Sequence, residues 1–227
     1  MPVTIEYPDT APTSQHSKRP ATEWWRHAVV YQIYTRSFYD SNADGNGDLN
    51  GIQKMDYLKY LGVDAIWLNP FFLSPWVDGG YDVKSYHKVD PKFGDNEDLR
   101  RLIDIAHSND INIILDLVIN HTSDQHPWFL RALKHDMKKR REDSGYKSTV
   151  DPAANVYVFH PEDPSNPKKP PNNWLNFIGA YPAWTKSITG EWYLHRFTPQ
   201  QPVSRFPKLA CKKSYQKNSK ALDQPKN

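Results

Sequence analysis

The residues best placed to do chemistry in this 227-residue chain directly follow a buried-strand pattern. Residues 111–118 form an apolar run broken by Asn112 and Asp116, which is typical of a central parallel strand. The run leads straight into the polar residues Asn120, His121, Thr122 and Ser123. Carboxyl ends of parallel strands are where α/β barrels and open α/β sheets build their sites. We therefore interpret His121 as a candidate ligand contact, the alternative being an ordinary hydrogen-bonded histidine beside a turn.

A second candidate region is the polar and aromatic stretch from Ser74 to Phe93. It contains Asp78, a Gly pair, Tyr81 and Asp82, and it follows a predicted strand. Long loops in this position commonly carry binding residues. Taken singly, Asp78 or Tyr81 is more often a turn residue than a ligand contact.

A third pattern has the spacing of a metal loop. Oxygen-bearing side chains occupy every second position, with Gly45 in the sixth place: Asp40, Asn42, Asp44, Asn46 and Asp48. This matches the first nine places of a calcium loop, in which the seventh ligand is a backbone carbonyl, here that of Asn46. The twelfth place is Gly51 instead of Glu, so an EF-hand is not expected. We predict a structural Ca²⁺ or Mg²⁺ site, the alternative being a turn without metal.

The elements that would position these residues alternate between strand and helix. Strands are predicted over 29–34, 64–68 and 111–118 from their apolar and β-branched content. The first helix is predicted to end at Gly62 and to bury Ile52, Met55, Leu58 and Leu61. The second is capped by Asp95 or Asn96 and buries Leu99, Leu102, Ile103 and Ala106. This order predicts an α/β fold with parallel strands.

The pattern changes after Ser123. Pro127 can start a helix that buries Phe129, Leu130, Leu133 and Met137. Residues 144–196 are rich in Pro and Asn, with β-like pieces at 155–159 and 191–197. These features predict an irregular subdomain inserted after the third strand.

The sequence also predicts the domain bounds and the cellular compartment of the protein. The domain prediction is an N-terminal arm over 1–23, a partial barrel over 24–121, an inserted subdomain over 122–201 and an aberrant basic tail over 202–227. Residues 208–227 hold six Lys against Asp223, a local charge of +5, and are expected to be disordered rather than to bind nucleic acid. Cys211 is alone, and no window approaches eighteen apolar residues. We therefore expect a cytoplasmic protein without an intrachain disulfide or a membrane span.

The motifs together resemble the α-amylase family of glycoside hydrolases, in particular its α-glucosidase and oligo-1,6-glucosidase members. The resemblance covers Trp24 to about Gln201 and is carried by VVYQIYTRSF, DSNADGNGDLNGI, DAIWLNPFFLSP, DGGYDV, DLVINHTSDQHPWF and PPNNW. It implies the first three strands of a (β/α)₈ barrel with a subdomain after strand 3, and retaining cleavage of α-linked gluco-oligosaccharides. It further implies that Asp78, Tyr81 and His121 hold the reacting sugar, that Asp116 and Asn120 lie behind them, and that Asp40, Asn42, Asp44, Asn46 and Asp48 bind the metal.

The chain also departs from the family pattern. A retaining glycosidase needs two carboxyl groups about 5 Å apart, which in the family lie on strands 4 and 5. Beyond Glu191 the only acid is Asp223, so none of the catalytic carboxylates is expected in this chain, which we interpret as truncated and inactive alone. Ile178 stands where the family has an aromatic residue. A family isomerase or glucanotransferase of the trehalose synthase or sucrose isomerase type, or a non-catalytic sugar-binding remnant, stays open. Linkage preference and oligomeric state are not determined by the sequence.

Overall fold

The structure is a computed structural model that describes residues 23–134 and 155–205. The predicted arm over 1–23, Met137 and Cys211 lie outside this part of the chain, apart from Glu23. By its internal contacts the chain forms two compact units. The first holds the described residues up to Ser74 together with Ser85–Leu117, and the second holds Pro75–Lys84 and the described residues from Val118 onward. No helix within 23–134 and 155–205 is long and apolar enough to cross a membrane.

Among the described residues, eight strands and five α-helices follow a short 3₁₀ helix at Trp24–Arg26. The strands are β1 (Val30–Ile33), β2 (Ala65–Leu68), β3 (Phe72–Leu73), β4 (Ser85–Val89), β5 (Asn112–Leu115), β6 (Phe159–His160), β7 (Trp184–Lys186) and β8 (Trp192–Leu194). The helices are α1 (Thr35–Phe38), α2 (Leu49–Ile52), α3 (Asp56–Leu61), α4 (Asn96–Ser108) and α5 (Pro127–Lys134).

The first unit is built on a parallel sheet in the order β1-β2-β5, which confirms the three predicted strands. Ile33 of β1 and Ile66 and Leu68 of β2 are almost completely buried, whereas β5, predicted to be a buried strand, has no buried residue and its Leu115 is 39% exposed. The third strand is shorter than predicted and ends at Leu115. Its partner β2 ends in register with it at Leu68, where Asn69 and Pro70 follow, so the ladder has no further strand residue to pair with.

The prediction of one continuous helix between β1 and β2 is wrong, because the segment forms α2 and α3 with a break between them. Asp48 caps α2 by accepting the Gly51 N–H. At the break, the Met55 N–H bonds the Gln53 carbonyl in place of the helical pattern. Gly62 ends α3 in the left-handed conformation with φ 72°, as predicted. Leu61 was predicted to be buried and is 43% exposed.

The second predicted helix is confirmed as α4. Asp95 is its N-cap, and a reciprocal capping box joins Asp95 and Asp98. Leu102 and Ala106 are fully buried on its inward face. Part of the stretch predicted to be a loop is an antiparallel ribbon, in which β3 pairs with β4.

The second unit contains an antiparallel sheet in the order β6-β8-β7. Strand β8 confirms the predicted β-like piece over 191–197, whereas only Phe159 of the piece predicted over 155–159 lies in a strand, β6; β7 was not predicted. Helix α5 begins at Pro127 as predicted and packs Phe129 into an aromatic core with Tyr157 and Tyr193. Leu130 was predicted to be buried and is 45% exposed. Pro202, Val203 and Ser204, at the start of the predicted tail, make isolated β-bridges, and the rest of the tail from 206 onward lies outside the described residues.

Candidate functional site

The candidate site lies within the second unit and begins with a tight loop around Asp78. The buried carboxylate of Asp82 accepts the backbone N–H groups of Val77 at 2.9 Å and Asp78 at 3.1 Å. The Tyr81 N–H closes a turn on the Asp78 carbonyl at 2.9 Å. Because its oxygens accept these backbone N–H groups, Asp82 fixes the shape of the loop. The half-buried side chain of Asp78 takes no part in these bonds.

His121 is the centre of the site and is only 4% exposed. Its Nε2 lies 3.1 Å from the Tyr81 carbonyl oxygen, and its Nδ1 lies 3.1 Å from the Asn120 Nδ2. A carbonyl can only accept, so Nε2 carries the proton and Nδ1 accepts from the Asn120 amide. Burial lowers the pKa of His121, against the opposing effects of the Tyr81 carbonyl, Asp78 and Asp82. The imidazole is therefore neutral near pH 7, with its one donor on the Tyr81 carbonyl and its one acceptor on the Asn120 amide.

Gln201 lies between Asp78 and His121, two of the predicted sugar contacts. The sequence did not predict a role for it. Its Nε2 donates to the Asp78 Oδ2 at 2.9 Å and lies 3.1 Å from the His121 Nε2. Its side chain is buried, with 1% of the residue exposed. The only sequence signal was its position in the Gln-Pro pair at which the resemblance ended. The structure thus brings Asp78, the Tyr81 backbone and His121 together. Gln201, which the sequence marked only as the end of the family resemblance, lies between them.

Aromatic rings extend from one side of His121. The Phe197 ring centroid lies 5.2 Å from that of His121, and the Phe177 centroid lies 5.5 Å from that of Phe197. Phe177 is 76% exposed, and its neighbour Ile178 is 67% exposed. An open apolar surface therefore borders the polar group of Asp78, Gln201 and His121.

The two residues expected behind the sugar contacts differ in their placement. Asn120 lies beside His121 in the second unit, and its carbonyl accepts the Ser204 N–H at 2.9 Å. Asp116 lies in the first unit, directly after β5, where its N–H bonds the Leu68 carbonyl at 3.3 Å. The contact to His121 is consistent with the predicted role of Asn120, whereas the role of Asp116 stays a prediction.

The predicted metal loop lies in the first unit and is held by its own hydrogen bonds. Asp40 accepts the N–H groups of Asn42, Ala43, Asp44 and Gly45, and the Gly45 bond is the main cause of the lowered pKa of Asp40. Asp48 is buried and bonds Ser41 and Gly51. The oxygen ligands have the chemistry that Ca²⁺ and Mg²⁺ prefer. Among residues 23–134 and 155–205, however, no three acidic, His or Cys side chains are close enough to hold an ion. Metal binding by Asp40, Asn42, Asp44, Asn46 and Asp48 stays a prediction.

Comparison with known proteins identifies the family. A family model described as "Alpha amylase, catalytic domain" matches residues 32–222. The oligo-1,6-glucosidase of Heyndrickxia coagulans is 48% identical over 183 residues, and an alpha-glucosidase of Culex pipiens is 45% identical over 193 residues. These alignments cover 80% and 83% of this chain and 30% of each relative.

A solved structure has the same fold over most of the chain. The isomaltulose synthase SmuA from Protaminobacter rubrum superposes with a TM-score of 0.73 at 39% identity, covering 88% of this chain and 34% of the synthase. The chain therefore spans about a third of the length of the relatives it matches. The predicted fold class, the N-terminal part of a (β/α)₈ barrel with a β-containing region after strand 3, is confirmed. The chain belongs to the alpha-amylase family.

Proposed function

We propose that this chain carries the sugar-holding part of an α-glucosidase-type glycoside hydrolase, with Asp78, Tyr81 and His121 as contacts to the reacting glucose ring. The observation that carries the proposal is the cluster in which Gln201 bonds the Asp78 carboxylate at 2.9 Å and lies 3.1 Å from the buried neutral His121. A carboxylate accepts sugar hydroxyl hydrogens strongly, and we expect a sugar hydroxyl to share the His121 Nε2 proton with the Tyr81 carbonyl without a desolvated charge. The similar proteins named oligo-1,6-glucosidase and alpha-glucosidase support the choice of an α-linked glucoside.

The rings beside His121 support the same ligand class. Sugar rings present flat C–H faces, which pack on aromatic side chains as other apolar surfaces do. Phe197 lies against His121, and Phe177 adds exposed ring surface beside it. We expect one glucose ring at Asp78 and His121, with the attached residue of an α-linked gluco-oligosaccharide over Phe177 or Phe197.

We further infer that the 227-residue chain binds this ligand without hydrolysing it. Retaining hydrolysis needs a nucleophilic carboxylate and a carboxylic acid about 5 Å apart around the scissile bond. At the candidate site, the carboxylate next to Asp78 is that of Asp82, which is fully buried and already accepts two backbone N–H groups. It is therefore poorly suited to attack a sugar or to donate a proton.

Calorimetric titration with isomaltose and maltose tests the proposal. A hydrogen bond to a charged group is worth about 1.5–3 kcal/mol, so Asp78→Ala should weaken binding about 10- to 150-fold. His121→Ala should weaken it by a similar factor. Asp104→Ala is the matched control, because Asp104 is an exposed acid on α4. A folded wild-type sample that gives no heat with either sugar would contradict the binding proposal, and protein-dependent glucose release would contradict the inferred lack of turnover.

A family isomerase or glucanotransferase is the second candidate function. It is supported by the similarity to the isomaltulose synthase SmuA over 88% of this chain. Sucrose added to the same titration separates the candidates in part. Tighter binding of sucrose than of isomaltose favours the isomerase type, and the reverse order favours the glucosidase type.

A further inference from the structure

We propose that Gln201 is a positioning residue that fixes the Asp78 carboxylate against His121, through the donor end of its side-chain amide. Gln201 is separated from Asp78 by 123 positions in the chain and from His121 by 80. Its amide is thus the link that holds two distant segments of the site in one geometry. The geometric part of this proposal rests on the contacts alone, whereas its effect on sugar affinity rests on the proposed function.

The orientation of the amide is fixed by the opposite end of the side chain. The Gln201 Oε1 accepts the Thr198 backbone N–H and the Thr198 hydroxyl, both at 3.1 Å. A backbone N–H can only donate, so the oxygen must face Thr198 and the NH₂ group must face Asp78. The Gln201 backbone N–H also bonds the Thr198 carbonyl at 2.9 Å, which holds the residue in a tight turn.

The donor end then has a single strong acceptor. His121 Nε2 already carries a proton for the Tyr81 carbonyl, so the 3.1 Å approach of the Gln201 Nε2 is a packing contact between two donors. The bond to the Asp78 Oδ2 at 2.9 Å is charge-assisted and takes the amide hydrogen. Because the amide is 1% exposed, water cannot readily replace it in this role. Asp78 therefore depends on Gln201 for its position beside His121.

Reversing the donor end to an acceptor gives the sharpest test. Gln201→Glu keeps the shape of the side chain but places a second carboxylate against Asp78. Two carboxylates at this separation cannot both ionise, so the pair binds a shared proton and the pKa of one of them rises. The variant is therefore destabilised at high pH and regains stability, relative to wild type, as the pH falls. Gln200→Glu is the matched control, since it makes the same charge change at the neighbouring half-buried residue.

The experiment has two readouts on the full 227-residue chain. Urea unfolding is followed at several pH values for wild type, Gln201→Glu and Gln200→Glu, and isomaltose affinity is measured by calorimetry at the same pH values. We expect Gln201→Glu to lose about tenfold or more in affinity near pH 7 and to recover part of it at lower pH. Gln200→Glu should show neither effect. A stability difference between Gln201→Glu and wild type that does not change with pH would overturn the proposal.

The combined variant Asp78→Asn with Gln201→Glu covers the case in which Gln201→Glu does not fold. It exchanges the amide and the carboxylate, so the pair again has one donor and one acceptor. The double variant should recover folding and most of the wild-type unfolding midpoint, although not the sugar affinity. Failure to recover stability would count against the pairing. If wild type itself binds no isomaltose, the proposed function fails, and the unfolding measurements alone decide the role of Gln201.

Discussion

We predict that the second unit loses stability steeply in mild acid, because two of its histidines are buried. Burial lowers the pKa of His121 from its ordinary value of 6.5, opposed by the Tyr81 carbonyl, Asp78 and Asp82. Burial also lowers the pKa of His195, opposed by the backbone of Phe197. Below about pH 6.5 the unfolded chain therefore takes up protons that the folded unit does not bind until its lowered pKa values are reached. The free energy of unfolding falls as the pH falls through this window.

The size of the effect follows from the number of protons. Each histidine that is protonated only in the unfolded state changes the free energy of unfolding by about 1.4 kcal/mol per pH unit. Two such residues give a maximum slope of about 2.7 kcal/mol per pH unit, which is a large part of the total stability of a small domain. The loss stops once the pH lies below the folded-state values, where both states are protonated.

Urea unfolding of wild type between about pH 7.5 and about pH 5 measures this slope. The buried Trp184 and Trp192 report on the second unit by fluorescence. His121→Gln and His195→Gln should each remove part of the slope attributed to histidine, and the double variant should remove all of it. His107→Gln, an exposed residue of α4, should leave the slope unchanged. A double variant with the full wild-type slope would refute the reasoning.

Three further predictions concern the framework around the site. Phe129→Ala should destabilise the second unit by about 3–5 kcal/mol, because it empties the aromatic core, whereas Leu130→Ala on the exposed side of α5 should cost far less; urea midpoints compare them. Gly51→Ala should destabilise the first unit by about 1–3 kcal/mol in the same assay, because the added methyl would overlap the Tyr39 carbonyl oxygen; an unchanged midpoint would contradict this. If the predicted metal loop binds Ca²⁺, the ion should raise the melting temperature of wild type but not of Asp40→Ala, and equal melting curves with Ca²⁺ and with chelator would exclude it.

The sequence predicts those elements of the fold whose signal is local. The three parallel strands have dense apolar runs, and α4 has the Asp95 cap together with a regular apolar stripe. The prediction of one continuous helix ending at Gly62 was wrong because a regular apolar stripe does not reveal that the backbone turns at Gln53. Strands β3 and β7 have only two and three residues, so their structure depends on distant partners rather than on their own composition.

The same distinction explains the outcome at the site. Asp78 and His121 were predicted because each stands in a motif, and the structure brings them together. Gln201 could not be predicted, because glutamine has no special spacing there and its importance depends on an amide buried between Asp78 and Thr198. A buried polar side chain of this kind is recognised only when its partners are known.

The polar residues after β5 show why residue type alone does not identify a site. Thr122 and Ser123 are fully buried, and their backbone N–H groups bond the Pro202 and Val83 carbonyls at 3.4 Å and 2.9 Å. The Thr122 hydroxyl is 2.6 Å from the Tyr157 hydroxyl. These two residues therefore join three segments of the second unit, and their polar groups are used for that purpose.

His121 donates through Nε2 to the backbone of the Asp78 loop and lies beside Phe197. Of the four polar residues after β5, His121 is therefore the one whose ring lies beside both the Asp78–Gln201 pair and Phe197.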